Sequence, residues 1–389
     1  MREKAFFRYL PIMVLGIFAV ISVAKGIQNA LVFSQDFQWS PTVLFLEGIN
    51  PYQYFLNGNI DNRIILSQAP NYAHLAYFIC APFAIMDWWY AKLIWALTNI
   101  LLAIVCVNII SKEVELTKRD ILIVLFVFLA SASLRNTISN GQHSLVVLLA
   151  FCAFFLRPLG LRLFLMGFAY FKYSFMPVLS VFILFKHGIK GFFISCISCM
   201  LGWLAFSIVL SEPPLTALLE PLKVGSSSVG LGTADLMSFS EVFGFTKNSA
   251  PYLMFTYGIP AVVSVLIAYV IAKKETVCRL QTLSLLCIGS LMTVKHLPYD
   301  FVVLLPAFVL AYQNKKTLQG KIALGLILFF WFGIKYEFQL SELINVKIEY
   351  FIGLNFCGLL MLFIYFLKQA SSVQKAIKYP NSETHYSTS

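Results

Sequence analysis

The stretch that decides the fold is LIWALTNILLAIVCVNII at residues 93–110, which contains no charged side chain. A run of this kind is typical of a helix that crosses the hydrocarbon core of a bilayer, which needs ~20 apolar residues. Similar runs recur along the whole chain: of its 389 residues, 59% are apolar and only 12% are charged. Soluble domains hold about 45–50% apolar and about 25% charged residues. The composition therefore excludes a soluble protein with one anchor and predicts an all-α polytopic integral membrane protein.

About twelve apolar segments are predicted to cross the membrane as one transmembrane domain, residues 1–389. They are 9–30, 89–110, 121–138, 144–156, 162–172, 174–185, 191–211, 251–272, 280–294, 300–313, 322–334 and 348–367. The segment 73–86 is too short to cross and is predicted to be a re-entrant or interfacial helix. Several of the twelve are also short, as is typical of broken helices around a binding site at the membrane midplane or at its surface.

The basic residues predict the orientation. Placing the N-terminus in the cytoplasm puts most of the 29 lysines and arginines on the inner side, as the positive-inside rule expects. The same scheme puts the polar C-terminal tail, 369–389, inside, and the two longest loops, 31–72 and 212–250, on the outer (periplasmic) face of the cell membrane. The net charge of +11 then faces anionic membrane lipids, not nucleic acid. Because loops on a rigid scaffold carry sites, we expect function on the outer face.

The first outer loop contains two successive helix signals. Ser40 and Asn50 each precede a proline, which predicts an N-cap followed by proline at the first helical position. Gly48 and Gly58 stand where the C-terminal caps of these helices belong. In the first helix, three apolar residues share one face at helical spacing: Trp39, Val43 and Leu46. The loop is therefore predicted to hold two short amphipathic helices.

Several motifs follow one another in a specific order. They are Asp36 after the first helix, the run LEGINPY at 46–52, a tyrosine-led helix with Pro82 at 72–86, Gly141-Gln142 at the start of a crossing, Lys172 shortly before Pro177, and Tyr299-Asp300 before Val-Val-Leu-Leu-Pro. In this order they resemble glycosyltransferase family 87 over about 36–310. The resemblance implies a GT-C-type bundle and an enzyme, most simply a mannosyltransferase, that uses a polyprenyl-phosphate sugar.

The chain departs from the family pattern at three positions. The usual tyrosine-proline-proline reads Tyr72-Ala73-His74, and Tyr299 with His296 upstream stands where tryptophan and histidine are expected. A serine run at 226–228 and the segment 235–239 replace the usual asparagine-glutamine-serine. These departures leave the sugar and the acceptor, a lipid or glycan, open.

Asp36 is the candidate general base. Glycosyl transfer requires that the acceptor hydroxyl lose its proton, and a carboxylate in that role contributes about 100- to 10,000-fold. Asp36 would hydrogen-bond this hydroxyl as it attacks the anomeric carbon with inversion. The alternative is an ordinary loop acid that caps the following helix. The position of Asp36 at membrane depth and the family pattern favour the role of general base over this alternative.

Lys172 is the first candidate for binding the donor phosphate, because an ammonium offsets charge on the leaving group. The alternative is a lysine that extends to the outer headgroups. Further cations predicted on the same face are Arg135, Lys295 and His296. His296 is equally compatible with binding phosphate or sugar and with a hydrogen-bonded loop histidine.

Sugar hydroxyls need polar side chains that donate and accept hydrogen bonds. The candidates for the sugar and acceptor are Gln142, Asn140, Asp300, Tyr52 and Tyr72. Asn140 is also explained as a helix cap, and Asp300 as a carboxylate that complements a helix dipole. The tyrosines are also explained as part of an interfacial aromatic belt.

The sequence gives no sign of a cofactor. It contains no metal-ligand spacing and no glycine-rich phosphate loop, because 225–232 lacks a lysine. We therefore expect no metal or cofactor and a lipid-linked donor, because nucleotide sugars are not available outside the cell. A transporter or flippase of lipid-linked saccharide is the alternative. The one-sided clustering of polar residues and the lack of an inverted repeat favour the enzyme.

Overall fold

The computed structural model describes residues 2–33, 37–65, 69–227, 231–274 and 278–378, and all of its regular structure in these ranges is helical. The α-helices are α1 Arg2–Phe33, α2 Trp39–Leu46, α3 Pro51–Leu56, α4 Leu75–Ala84, α5 Trp88–Glu113, α6 Lys118–Ala130, α7 Ala132–Ser139, α8 Ser144–Cys152, α9 Leu159–Met166, α10 Met176–Val209, α11 Pro214–Ser227, α12 Phe239–Val242, α13 Ala250–Leu253, α14 Ile259–Lys273, α15 Arg279–Thr293, α16 Leu305–Gln313, α17 Leu318–Leu328, α18 Glu337–Leu343 and α19 Glu349–Lys378. Short 3-10 segments lie at Ala153–Phe155, Gly167–Phe171, Tyr173–Phe175, Pro298–Leu304 and Ile334–Tyr336, and π turns lie at Met254–Gly258 and Phe329–Gly333.

In the described ranges, six helical stretches are long and apolar enough to cross a membrane. They are Leu10–Phe33, Trp88–Glu113, Tyr173–Val209, Ala250–Lys273, Leu318–Leu343 and Glu349–Gln369. The helices α6 and α7 form a seventh if they are counted as one span bent by 57°. The bend lies at Ser131, whose hydroxyl caps α7 by accepting a hydrogen bond from the Leu134 N–H. The protein is therefore a multi-pass membrane protein.

The predicted number of about twelve crossings is not confirmed, although each predicted segment has a helical counterpart. Several counterparts are short: Ser144–Phe155 rises only about 18 Å, against a hydrocarbon core of about 30 Å. Nearly all of α15 is buried against α10, α14, α16 and α19. A helix surrounded by other helices is as apolar as one facing lipid, so hydropathy alone does not decide which of these segments cross the membrane.

The predicted crossings 174–185 and 191–211 correspond to the two helical arms of α10, which a break at Gly188 separates. Gly188 has φ 69° and ψ −173°, which is not a helical conformation. The two sides of the break pack differently: Val178 lies close to Gly289 of α15, whereas Gly202 lies against Leu75 of α4. The break therefore divides α10 near the boundary between the two predicted segments.

The N-cap predicted at Ser40 is wrong. The structure starts α2 at Trp39, after Gln38 in a left-handed conformation, and the Ser40 hydroxyl accepts a hydrogen bond from the Ile65 N–H at 3.0 Å. In α3, by contrast, the Asn50 side chain accepts hydrogen bonds from two backbone N–H groups of the first turn. The glycines after the two helices, Gly48 and Gly58, have φ angles of 78° and 95°.

The face of α2 that the spacing of Trp39, Val43 and Leu46 defines is not the buried one. Trp39 and Val43 are only partly buried, and Leu46 is 47% exposed, whereas Leu44 and Phe45 on the other side are buried. One side of the helix meets the protein core and the other side lies at the protein surface, and both sides carry large apolar residues. An amphipathic pattern in a membrane protein therefore does not identify the side that faces the protein. The short helix α4, ten residues long, packs against α2, α5 and α10.

Close backbone packing holds the turn that carries Lys172. A Cβ atom added at Gly167 would lie 1.7 Å from the carbonyl oxygen of Ser195 in α10, so only glycine fits there. On the other side of this turn, the Ala73 N–H donates to the carbonyl of Phe171 at 2.8 Å. The segment between Gly167 and Phe175 is thus fixed between α10 and the chain that leads into α4.

Candidate active site

Lys172 and Asp300 form a buried ion pair, although 128 residues separate them along the chain. Lys172 lies between two 3-10 turns, and Asp300 lies in the first turn of the helical segment Pro298–Leu304. The Ser144 hydroxyl accepts a hydrogen bond from the Lys172 ammonium at 3.2 Å and donates one to Asp300. Because an unpaired buried charge is costly, each charged group stabilises the other.

The second carboxylate oxygen of Asp300 is bonded as well. It lies 3.1 Å from Nδ1 of His296 and accepts a hydrogen bond from the Leu297 N–H at 3.3 Å. The Leu297 bond caps the start of the helical segment, so Asp300 lies at a helix start, where a carboxylate complements the helix dipole. It is also the centre of a polar network of Lys172, Ser144 and His296.

His296 lies behind Asp300 and does not line the cavity described below. Its ring packs on Phe175 with a centroid distance of 4.4 Å, and its Nε2 is buried without a hydrogen-bond partner in the described part of the chain. The imidazole is therefore not placed to contact a donor phosphate in this cavity directly. The imidazole instead orients the carboxylate of Asp300.

Asp235 is a buried acid that the sequence did not identify as a site residue. One of its carboxylate oxygens accepts hydrogen bonds from the N–H and hydroxyl of Ser238, and the other accepts from the His296 N–H at 3.4 Å. Burial raises the pKa of Asp235 above its ordinary value, while these hydrogen bonds and His296 act in the opposite direction. Asp235 thus attaches the second long loop to the segment that carries His296.

A cavity of about 570 Å³ opens beside the ion pair. Both long loops contribute to it: Tyr72 comes from the end of the first, and Leu222 and Met237 come from the second. Further lining comes from the tyrosines at 173, 257 and 299. The Lys172 ammonium lies 5.1 Å from the centre of the Tyr299 ring, within cation–π range. The size is that of a ligand pocket.

Four predicted site residues line this cavity together: Tyr72, Lys172, Lys295 and Asp300. Burial lowers the pKa of the Lys295 ammonium, whereas Asp235 and Glu241 act in the opposite direction. In this cavity Lys172 is paired with the Asp300 carboxylate, and Lys295 adds a second ammonium group. Its lining carries net positive charge.

Gln142 and Tyr52 support Tyr72 and do not line the cavity. The Tyr72 hydroxyl donates to the Gln142 side-chain oxygen at 3.3 Å, and the Tyr52 hydroxyl donates to the Tyr72 carbonyl at 2.7 Å. Asn140 ends α7, and its carbonyl accepts a hydrogen bond from the Gln142 side chain at 3.4 Å. These predicted sugar-binding residues therefore contact the wall of the cavity from behind.

Arg135 lies apart from the cavity, in α7 beside Gly26 of α1. Asp36 lies outside the described residues. Its neighbour in sequence, Phe37, is buried and stacks on Trp95 with ring centres 5.2 Å apart. Gly141 contacts Phe37 so closely that an added Cβ would lie 2.7 Å from the Phe37 Cβ.

No group of three histidine, cysteine, aspartate or glutamate side chains suited to a metal ion occurs within the ranges that the structure describes. The polar groups of the cavity are ammonium, carboxylate and phenol groups, together with the Asn71, Ser174 and Ser226 side chains. These groups bind phosphate and hydroxyl oxygens through charge and hydrogen bonds.

The fold and the cavity define a multi-pass helical membrane protein with a tyrosine-lined, positively charged pocket to which both long loops contribute. The family model of glycosyltransferase family 87 matches residues 72–294, more than half of the chain. The protein belongs to this family and is a membrane glycosyltransferase. The match includes Tyr72, Gln142 and Lys172 but stops before Asp300. No curated protein and no solved structure matches the chain.

Proposed function

We propose that this glycosyltransferase moves a hexose, mannose foremost, from a polyprenyl-phosphate sugar to a lipid-linked or glycolipid acceptor. In this proposal the reaction takes place on the outer face of the cell membrane, and both termini are cytoplasmic. The observation that supports it is the cavity beside Lys172, which combines cationic, phenolic and apolar side chains.

The cationic part of the cavity suits the phosphate of the donor. An ammonium has three N–H donors, and Asp300 and Ser144 occupy two of those of Lys172. The third remains for a phosphate oxygen, and Lys295 supplies a second cation on the same lining. Both would offset the negative charge that develops as polyprenyl phosphate leaves.

The apolar part suits a lipid chain. Leu222, Met237 and Val294 lie on the same lining as the two lysines. A donor in which a phosphate joins a sugar to a prenyl chain would find charged, hydroxyl-bearing and apolar surface within one cavity. A nucleotide sugar would need no such apolar surface.

Asp36 is the proposed general base, and its support comes from the sequence. The carboxylate would take the proton of the acceptor hydroxyl while the hydroxyl oxygen attacks the anomeric carbon. Polyprenyl phosphate would leave with the electrons of the broken C–O bond. Attack opposite the leaving group inverts the anomeric centre. Phe37, one residue further along, is fixed between Trp88 and Trp95.

The test is sugar transfer by the purified, full-length protein in liposomes that contain radiolabelled polyprenyl-phosphate mannose, glucose or galactose. Asp36→Asn should lower the rate of transfer by at least about 100-fold, because a general base is lost. Asp61→Asn, which changes an exposed acid of the same loop, is the matched control and should keep full activity. Full activity in Asp36→Asn would exclude Asp36 as the base.

The same liposomes test the donor class and the need for a metal. We expect transfer to continue in excess EDTA. Movement of labelled saccharide lipid across the bilayer without a new glycosidic bond would instead support the transporter alternative. If none of the three donors is used, the proposed donor class is wrong.

A further inference from the structure

The cavity beside the Lys172–Asp300 ion pair is the proposed active-site cavity. A second, smaller cavity lies at the other end of the helices that form it. The helix α15 runs from Arg279 at this second cavity to Thr293, next to Val294 of the first, and its fifteen residues rise roughly 20 Å. The helix α14 likewise runs from the π turn that contains Tyr257 to Lys273, next to Lys274 of the second cavity. The two cavities therefore lie at opposite ends of one helix layer.

The second cavity, of about 280 Å³, is strongly basic. Five basic side chains from four helices or their ends line it: Arg162, Lys186, His187, Lys274 and Arg279. No aspartate or glutamate of the described residues is part of its lining. Cations brought together in a concave site repel one another, and this repulsion is stronger than at a flat, fully solvated surface. An anion in the cavity would remove that cost.

The hydrogen bonds within the cavity leave donors for such an anion. Nε of Arg162 is buried and has no hydrogen-bond partner in the described part of the chain. Arg279 donates from Nη1 to the Phe155 carbonyl at 3.2 Å, and a guanidinium has five N–H donors in all. Buried donors without partners are costly, and two guanidinium groups match the oxygens of a phosphate well.

Basic residues at helix ends are common in membrane proteins, where they face lipid headgroups individually. Here they converge on one cavity, whose other lining residues include Phe154, Phe182 and Ile271. Basic pockets between membrane helices are known to bind phosphate headgroups. We propose that this cavity binds a phosphate group, supplied either by an anionic phospholipid headgroup or by a soluble phosphate. The proposal does not depend on the identity of the donor sugar.

Binding is tested on the full-length protein. Native mass spectrometry after addition of phosphatidylglycerol or cardiolipin, compared with phosphatidylcholine, detects a lipid headgroup, and a thermal shift with inorganic phosphate or pyrophosphate detects a soluble anion. Arg162→Gln should weaken the binding that is observed by about tenfold, because one charge-assisted hydrogen bond is lost. Its Nε makes no hydrogen bond in the described part of the chain, so the change should not impair folding.

Lys190→Gln is the matched control: it removes an exposed basic residue three positions after His187 and should leave binding within about twofold. Glu275 follows Lys274 in sequence and lies outside the described residues, so Glu275→Gln is measured as well. Phosphate binding that Arg162→Gln weakens and Lys190→Gln does not supports the proposal. No phosphate-specific binding, equal loss in both variants, or binding only in Glu275→Gln would overturn it.

Discussion

At the residue scale, the ion pair of Lys172 and Asp300 governs the active-site cavity because both charges are nearly buried. The side chains are 10% and 3% exposed. Removing both charges from water is costly, and their mutual attraction together with the bonds to Ser144, His296 and Leu297 offsets that cost. The pair is thus both a structural link between distant segments and the proposed anchor of the donor phosphate.

These two roles can be separated by two substitutions that each replace a charged side chain by an uncharged one. Lys172→Met and Asp300→Asn should each lower the free energy of unfolding by about 3–5 kcal/mol, because each leaves a buried charge without its partner. The double variant leaves no uncompensated charge and should lose less than the sum of the two single changes. Thermal unfolding in detergent measures all three.

Activity of the same variants completes the test. If Lys172 binds the donor phosphate, the double variant regains stability but still transfers sugar poorly. Lys223→Met, which changes an exposed lysine of α11, should match the wild type in both measurements. A Lys172→Met protein as stable as the wild type would contradict the structural role of the pair.

Asp235 predicts a specific pH dependence of stability. Burial raises its pKa in the folded state above the ordinary value of 3.8, so the folded protein holds this proton more tightly than the unfolded chain does. The contribution of Asp235 to stability is then greatest at low pH and is lost as the pH rises above 3.8 through the folded-state pKa.

We therefore expect Asp235→Asn, which cannot ionise, to lack this decline. The difference in unfolding midpoint between the wild type and Asp235→Asn, measured from pH 4 to pH 8 in ~1-unit steps, isolates the contribution of this carboxyl. The unfolding midpoint of the wild type should fall relative to that of Asp235→Asn as the pH rises. A difference that is constant with pH, or that moves the other way, would contradict the assignment.

At the element scale, Gly141 connects the start of α8 to the buried ring of Phe37. Its φ of 62° lies in the left-handed region, where a side chain costs about 1–2 kcal/mol. An added Cβ would also lie 2.7 Å from the Phe37 Cβ, and such overpacking costs about 1–3 kcal/mol more. Because Phe37 follows Asp36, this contact links a backbone turn to the proposed base.

Gly141→Ala should consequently destabilise the protein more than Gly48→Ala does. Gly48 also has a positive φ, of 78°, but an added Cβ there would meet no atom within 4 Å, so the control carries the backbone strain without the clash. Thermal unfolding gives the stability, and sugar transfer well below the unfolding midpoint gives the activity. If the two substitutions lowered stability and sugar transfer equally, the Phe37 contact would be unimportant for both properties.

Single elements also show where sequence reasoning succeeds. Asn50 and Pro51 determine the start of α3 through bonds within one turn, so they could be read from adjacent residues. Ser40 has the same local pattern, but its hydroxyl bonds to the Ile65 N–H, which no pattern within a few residues can predict. The apolar face of Trp39, Val43 and Leu46 in α2 is not the buried one for a related reason: lipid and protein core select the same apolar residues.

At the scale of the whole molecule, the sequence predicted the all-helical membrane fold and the family, and it named four residues of the active-site cavity. It did not predict that Lys172 and Asp300 pair, because their contact depends on how separate helices pack. Asp235 was missed because an isolated loop acid gives no sign of burial. His296 and Arg135 were grouped with Lys172 by membrane face alone, and neither lines the cavity.

The orientation of the whole chain is the remaining prediction. Charge counting predicts that the active-site cavity faces outward, and the helices α14 and α15 connect that end to the basic cavity. The two ends should therefore lie on opposite sides of the membrane. Lys247, in the second long loop, and Lys190, near the basic cavity, are exposed reporters for the two ends.

Lys247→Cys should react with a membrane-impermeant maleimide in intact cells, whereas Lys190→Cys should react only after permeabilisation. Both are made in a Cys357→Ser background, because Cys357 is the exposed cysteine in the described part of the chain, and the unlabelled background is the control. The reverse pattern would turn the active-site cavity toward the cytoplasm, where nucleotide sugars are available, and would remove the main reason for a lipid-linked donor. Labelling of both sites in intact cells would contradict the assignment of the two cavities to opposite faces.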